Sequence, residues 1–190
     1  MGLMLDLQPS LGRALVVGAG TVALRKVRAL SEAEFEITVV APRIDDGIRL
    51  APHVRVVERE WQEGDLDGHA LVFACTNLRD INRSIGEAAR RRGLPVLVAD
   101  RQEESTFFSP AVLRQGQVHI AVSTGGASPG LAKEIRSNIA EGLGRGWARL
   151  ASVARQERDA RRRARMEQVE RASLIRAAEL RSQEREDDEL

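Results

Sequence analysis

Short apolar runs alternate with segments of helical spacing along the first hundred residues. Five runs rich in β-branched residues are predicted to be strands: RALVV (13–17), FEITVVA (35–41), HVRVVERE (53–60), ALVFACT (70–76) and LPVLVAD (94–100). Apolar residues at helical spacing predict helices over 21–33 and 79–92. Strands that are apolar on both faces and separated by helices are typical of an α/β fold, in which helices cover both sides of a parallel sheet.

The pattern changes after residue 100. A polar loop over 101–110 leads into AVLRQGQVHIAVST (111–124), which predicts a β-hairpin turning at 114–117. The pair Ser128-Pro129 is typical of a helix start, with proline at the first helical position. We therefore expect three segments: a sheet domain (1–110), a hairpin and helix (111–146) and a charged helical tail (147–190).

The balanced overall charge and the short apolar runs each exclude one class of protein. The 190 residues carry 29 basic and 28 acidic side chains, for a net charge of +1, so the surface as a whole is not a cationic field for nucleic acid. No apolar run approaches the roughly 20 residues of a membrane-spanning helix. We expect neither nucleic acid nor a membrane as partner. Arginines after residue 145 are interleaved with acidic residues, which favours a solvated helix over an RNA-binding arm.

Cysteine and histidine usage bears on location and on metals. Cys75 is the only cysteine, so the chain cannot form an internal disulfide and a cytoplasmic location is expected. His53, His69 and His119 are scattered without ligand spacing, so we expect no metal site built from them.

A glycine-rich turn follows the first predicted strand and opens the first predicted helix. Gly18, Gly20 and Ala23 fit the pattern G-x-G-x-x-G/A. Gly18 allows the tight turn, Gly20 lets a pyrophosphate approach the backbone, and Ala23 lets the helix lie close to the strand. Thr21 and Val22 then offer N–H groups at the helix start. The motif predicts dinucleotide binding on a Rossmann-type sheet; the alternative is a tight turn that binds nothing.

The end of the second strand leaves the form of the dinucleotide open. An acidic residue usually holds the ribose there, but this chain has Pro42 and Arg43. Arg43 either meets a 2′-phosphate or is a solvent-facing arginine. The sequence does not decide between NAD and NADP.

Four segments together resemble the family of NAD-dependent precorrin-2 dehydrogenases, which includes the N-terminal half of siroheme synthase. They lie within residues 12–140: VVGAGTVALRKVRAL (16–30), FACTNLRDIN (73–82), VADRQEESTFFSP (98–110) and AVSTGGASPGLAKEIR (121–136). The first is common to many nucleotide-binding proteins, whereas the last two are specific.

The resemblance implies a reaction and an assembly. Precorrin-2 is a tetrapyrrole that the family oxidises to sirohydrochlorin, with NAD⁺ accepting a hydride, and some members also insert Fe²⁺ into the product. It further implies a homodimer, with the hairpin as the dimerisation region. A rival hypothesis is a non-catalytic NAD(H) sensor that signals through its helical tail, and a third is a ferrochelatase acting without NAD.

The resemblance also implies roles for particular residues. Asp100 sits at the carboxyl end of the fifth predicted strand, which we take to be central in the sheet, and matches an essential aspartate that would accept a proton; the alternative is an aspartate that caps the next turn. Cofactor contacts are expected from Gly18, Gly20, Thr21, Val22, Ala23, Pro42, Arg43, Thr76 and Asn77. Substrate contacts are expected from a turn that is otherwise a plain helix cap: Ser123, Thr124, Gly125, Gly126 and Ser128.

Overall fold

The computed structural model describes residues 2–143 and 146–187, with side chains described as far as residue 169. The chain divides into two compact units, Met1–Ser109 with Thr124–Ser128 and Pro110–Ser123 with Pro129–Leu190. The division into three segments stays a prediction.

The first unit contains a five-stranded parallel sheet. Its strands are β1 (Arg13–Val17), β2 (Ile37–Val40), β3 (Val54–Val57), β4 (His69–Ala74) and β5 (Val96–Val98). The helices are α1 (Thr21–Glu32), α2 (Asp46–Arg49) and α3 (Arg79–Arg91). The strand order is β3-β2-β1-β4-β5 and every pair is parallel, which confirms the predicted α/β class and Rossmann-type sheet.

Both faces of this sheet are buried, as its apolar strands predict. Side chains of a strand alternate between faces, so the short run of β1 contributes to two cores. Val16 packs on one face in a cluster with Val27 of α1, whereas Leu15 packs on the other in a cluster with Ile85 of α3. All four side chains are fully buried. Each contributes about 1.5–3 kcal/mol of burial free energy, which fixes the strands from both sides.

The connections between strands reverse direction beside β1. From β1 the chain moves outward to β2 and β3, then returns to the other side for β4 and β5. The register pairs Val17 with Val40 and with Ala74, and Ala74 with Val98. Four strands therefore end at the same edge of the sheet. Open α/β sheets bind their ligands at this edge, where the strand order reverses.

Strand β5 differs from its sequence prediction in length and in position. It covers Val96–Val98 rather than 94–100, and it is an edge strand rather than a central one. Beyond the strand, the N–H of Ala99 still donates to the carbonyl of Ala74 at the end of β4, at 3.0 Å, and the chain then turns. Asp100 consequently lies two residues beyond the strand rather than at its end.

The second unit contains a hairpin and two helices. Strands β6 (Ala111–Gln115) and β7 (Val118–Val122) pair antiparallel around a turn in which Gly116 has φ +58°. Helix α4 (Pro129–Gly142) begins at the proline, as predicted, and α5 covers Trp147–Asp187.

Helix α5 is charged, and most of its described side chains are exposed. Arg155 pairs with Asp159 and Arg161 pairs with Glu157, both at a spacing of four residues along the helix. Residues 188–190 of the predicted tail lie outside the described residues. Among the described helices, none is both long and apolar enough to cross a membrane.

Candidate active site

The turn after β1 lies against the end of β4 because Gly18 has no side chain. Gly18 has φ +110°, a conformation that disfavours other residues. A Cβ atom there would lie 2.4 Å from the carbonyl oxygen of Cys75 and 2.9 Å from the backbone nitrogen of Thr76. The N–H of Gly18 also donates to the carbonyl of Val40 at 2.9 Å. The turn is therefore fixed at the place where the strand order reverses.

Replacing Gly18 by alanine should destabilise the protein severely. The new Cβ would overlap a backbone carbonyl that cannot move without disturbing β4, and the positive φ adds strain. We expect the free energy of unfolding in urea to fall by about 3 kcal/mol or more. Gly93→Ala is the matched control, because Gly93 has φ +68° but open space around it. That variant should lose only about 1–2 kcal/mol; equal losses would contradict the role of the Cys75 contact.

The start of α1 has the properties of a phosphate site. Gly20 is the N-cap residue, has φ −80°, and receives no side-chain hydrogen bond. A Cβ atom on Gly20 would meet no described atom within 4 Å. Thr21 is exposed, Val22 is half-buried, and Ala23 is buried in the cluster that joins α1 to the sheet. The open space in front of the first N–H groups fits a pyrophosphate.

Other predicted cofactor residues follow neighbouring strands at the same edge. Pro42 and Arg43 follow β2 and are exposed. Thr76 follows β4 and is half-buried, and Asn77 beside it is exposed. Exposure of Arg43 is compatible with either of its two predicted roles.

Asp100 is joined to the end of β4 through a buried asparagine. Asn82 of α3 is 1% exposed. Its Nδ2 donates to Asp100 Oδ1 at 2.8 Å and to the carbonyl of Thr76 at 3.0 Å. Its Oδ1 accepts from the backbone N–H of Thr76 at 3.0 Å and from the Thr76 hydroxyl at 2.7 Å. The predicted base is thus connected to the predicted cofactor residue at the end of β4.

An arginine lies between two carboxylates beside this network. Arg79 donates a hydrogen bond to Glu104, and its Nε lies 3.7 Å from Asp100 Oδ2. The hydrogen bond to Glu104, followed by the charges of Glu104 and Asp100, raises the pKa of Arg79 above its ordinary value. The guanidinium therefore stays charged and places a fixed positive charge beside Asp100.

The loop after Asp100 is bound back onto the edge strand. Thr106 Oγ1 accepts the N–H of Val96 at 2.8 Å, and Ser105 Oγ accepts the N–H of Val98 at 2.9 Å. These hydroxyls satisfy N–H groups that an edge strand would otherwise leave unpaired. The same bonds hold the segment that carries Asp100 and Glu104 against the sheet.

Four of the five predicted substrate residues form one turn in the first unit. Thr124 Oγ1 accepts the N–H of Ser128 at 3.0 Å, and Gly125 and Gly126 have φ +64° and +89°. A Cβ atom on Gly126 would lie 2.5 Å from Oε1 of Gln102, so the turn contacts the segment just after Asp100. Ser123 belongs to the second unit, where it follows β7 and is exposed.

Cys75 lies behind the turn in an apolar environment. Burial raises the pKa of its thiol from the usual 9.0 to about 11, against the opposing charges of Lys26 and Arg25. Burial likewise lowers the pKa of Lys26 on α1. Cys75 is therefore a neutral core side chain rather than a nucleophile.

The Cys75 thiol should react slowly and should affect stability at high pH. A pKa of about 11 rather than 9.0 makes the neutral-pH thiolate fraction about 100-fold smaller, so a thiol reagent should label folded protein far more slowly than unfolded protein in urea.

The neutral, buried thiol of Cys75 also makes the stability of the fold depend on pH. Its contribution to the free energy of unfolding is fully present below pH 9.0 and is lost as pH rises through about 11. Cys75→Ala should show a smaller alkaline loss of unfolding free energy. Equal labelling rates with and without urea would contradict the assignment.

Three residues of the site escaped the sequence analysis: Asn82, Arg79 and Glu104. The first two lie in FACTNLRDIN, one of the segments that carried the resemblance, so that motif was the available signal for them. Nothing in the local pattern singles out Glu104. In the described part of the chain, no three His, Cys, Asp or Glu side chains are grouped so as to hold a metal ion.

Comparison with known proteins assigns the first unit to a family. Residues 3–111, more than half of the chain, match the family described as Putative NAD(P)-binding. The chain belongs to this family. NAD(P) is thus the cofactor that membership indicates, as the glycine-rich turn predicted. In this NAD(P)-binding protein, residues 115–141 match a second family, described as Sirohaem biosynthesis protein central.

Individual relatives of this NAD(P)-binding protein are siroheme synthases. It is 39% identical over 153 residues to siroheme synthase of Pseudomonas entomophila, covering 78% of this chain and 33% of the relative. The siroheme synthase of Thioalkalivibrio sulfidiphilus is 37% identical over 142 residues, covering 73% of this chain and 29% of the relative. The chain therefore spans about a third of the length of these curated relatives.

A solved structure shares the fold of this NAD(P)-binding protein. SirC, precorrin-2 dehydrogenase, superposes with a TM-score of 0.63 at 28% identity, covering 80% of this chain and 75% of that one. The parallel sheet, hairpin and helical region predicted from the sequence are thus those of a known fold, and the resemblance drawn from the four segments is confirmed.

Proposed function

We propose that this protein oxidises precorrin-2 to sirohydrochlorin with NAD⁺ as the oxidant. The observation that carries the proposal is the continuous contact from Gly18 through Thr76 and Asn82 to Asp100. It connects a dinucleotide-binding turn to a carboxylate at one edge of the sheet. Matches to an NAD(P)-binding family and to a sirohaem biosynthesis family support this substrate class.

Different residues of the site would bind different parts of the dinucleotide. The open start of α1 at Gly20 and Thr21 would hold the pyrophosphate through N–H groups. Thr76 and Asn77 at the end of β4 would lie along the nicotinamide. When bound, the nicotinamide ring supplies a hydride acceptor. Cys75 stays protonated and adds no charge to the site.

The chemistry that this chain must supply is proton acceptance. Conversion of precorrin-2 to sirohydrochlorin removes two hydrogens, one as a hydride and the other as a proton. Asp100 is the base that would take the proton, because its carboxylate is partly exposed and is connected to the glycine-rich turn through Asn82 and Thr76. The turn of Thr124 to Ser128 would orient the polycarboxylate substrate through N–H and hydroxyl donors.

The direct test is turnover under anaerobic conditions. Purified protein is mixed with precorrin-2 and NAD⁺, and sirohydrochlorin and NADH absorbance are followed together. We expect both to rise in equal amounts. Folded protein that binds NADH but forms no sirohydrochlorin would overturn the proposal.

A thermal-shift measurement separates the enzyme from a dinucleotide sensor. A ligand that binds the folded state raises the melting temperature. An enzyme of this kind should be stabilised by NADH and, in addition, by sirohydrochlorin. Stabilisation by NADH alone would favour the sensor. Formation of sirohaem from sirohydrochlorin and Fe²⁺ without NAD⁺ would reveal the chelatase.

Several expectations concern the assembly rather than the reaction. The homodimer, the dimerisation role of the hairpin, the cytoplasmic location and the absence of nucleic-acid and membrane partners stay predictions. Fe²⁺ insertion also stays a prediction.

A further inference from the structure

Asn82 is the one polar or charged side chain that is fully buried among the described residues. An asparagine side chain has two N–H donors and an oxygen with two lone pairs. In Asn82 all four are used: three contact Thr76 and the fourth donates to Asp100 Oδ1 at 2.8 Å. A buried, fully satisfied amide has a single low-energy orientation, because any rotation would leave polar atoms unpaired.

The two oxygens of Asp100 therefore differ. Oδ1 is fixed by the Asn82 amide at hydrogen-bond distance. Oδ2 lies 3.7 Å from Arg79 Nε, which is an ion-pair distance rather than a hydrogen bond. Arg79 is held there by its hydrogen bond to Glu104. Oδ2 is thus the oxygen left available to a substrate proton.

We propose that Asn82 is a positioning residue that orients Asp100, so that Oδ2 accepts the proton released by the substrate. The inference rests on the proposed function and adds a residue to it. Asn82 is 1% exposed, so it would not itself reach substrate or cofactor. It acts by linking the Asp100 carboxylate to Thr76, so that the base and the dinucleotide-binding end of β4 keep one relative placement.

The main test is Asn82→Asp, which keeps the shape but replaces the donor by a second carboxyl oxygen. The charged and titratable groups around Asp100 are Arg79 on α3, Glu104 on the following turn and Cys75 at the end of β4. Two carboxyl groups at hydrogen-bond distance hold a proton between them. We expect kcat to fall about 10- to 100-fold through lost positioning. The acidic limb of its pH profile should move to higher pH, while the dissociation constant for NADH stays unchanged.

Ser84→Ala is the matched control on the same helix. Ser84 is half-buried and its hydroxyl donates only to the carbonyl of Ile81 at 2.9 Å. This variant should keep the wild-type kcat and pH profile. If Asn82→Asp loses stability but keeps the wild-type kcat and acidic limb, Asn82 is structural and the inference is wrong. Failure of wild-type turnover would instead overturn the proposed function.

A measurement on the unmodified chain decides the matter if Asn82→Asp does not fold. The side-chain amide resonance of Asn82 is followed by NMR in ¹⁵N-labelled wild-type protein and in Asp100→Asn. Since the amide donates to a carboxylate, its proton shift should change with pH across the acidic limb of kcat. In Asp100→Asn it should be constant. A resonance that is independent of pH in the wild type would overturn the inference.

Discussion

Asp100→Asn should lose turnover by about 10²- to 10⁴-fold while NADH binding is retained. The amide oxygen of the new side chain can still accept the Asn82 N–H, so the buried network stays satisfied. The exchange removes the ability to take up a proton and the ion pair with Arg79, while the buried network is kept. Steady-state kcat with precorrin-2 and NAD⁺, together with an NADH fluorescence titration, measures both consequences on one preparation.

The choice of asparagine rather than alanine matters for this test. Asp100→Ala would leave the Nδ2 of buried Asn82 without its acceptor, at a cost of about 1–3 kcal/mol. A loss of activity would then mix chemistry with stability. Asp80→Asn is the control on α3, because Asp80 is exposed, forms an ion pair with Arg83 one turn on, and acts on Arg79 only through its charge. Undiminished turnover in Asp100→Asn would remove Asp100 from the mechanism.

The hydrophobic pattern predicts the sheet because all five strands are short and four of them carry buried apolar residues. RALVV predicts a strand apolar on both faces, and the structure buries its last four residues. HVRVVERE shows the limit of the same reasoning. The pattern extends a strand to residue 60, but β3 ends at Val57, and Arg59 turns to bind Asp65 at 2.8 Å. A tertiary ion pair of this kind competes with the alternation and cannot be read from it.

The site was predictable where it follows strand ends and unpredictable where it depends on helix rotation. Gly18 and Asp100 each come directly after an apolar run, and parallel strands bring such positions to one edge. Asn82 and Arg79 are three residues apart and so share one face of α3. Which neighbours that face meets depends on how α3 packs against β4 and β5. Its partner Glu104 lies 25 residues beyond Arg79 in the chain. Local periodicity carries no such information.

Gly20→Val should weaken dinucleotide binding about 100-fold without unfolding the protein. Gly20 has φ −80°, which any residue adopts, and a Cβ there would meet no described atom within 4 Å. Nothing in the fold therefore requires glycine at this position. A valine would fill the open space before the first N–H groups of α1, and a clash worth about 3 kcal/mol corresponds to about 100-fold in affinity. NADH fluorescence titration measures the loss.

Stability measurements show whether the loss of NADH affinity in Gly20→Val comes from a blocked site or from unfolding. Gly64→Val is the control, because Gly64 also has open space around it but lies outside the site. Gly20→Val and Gly64→Val should unfold in urea at nearly the wild-type midpoint, with only the first losing NADH affinity. Gly18→Ala, in contrast, should lose stability first and binding as a result. Wild-type NADH affinity in Gly20→Val would place the dinucleotide elsewhere on the protein, because a bound pyrophosphate and the valine side chain would need the same space.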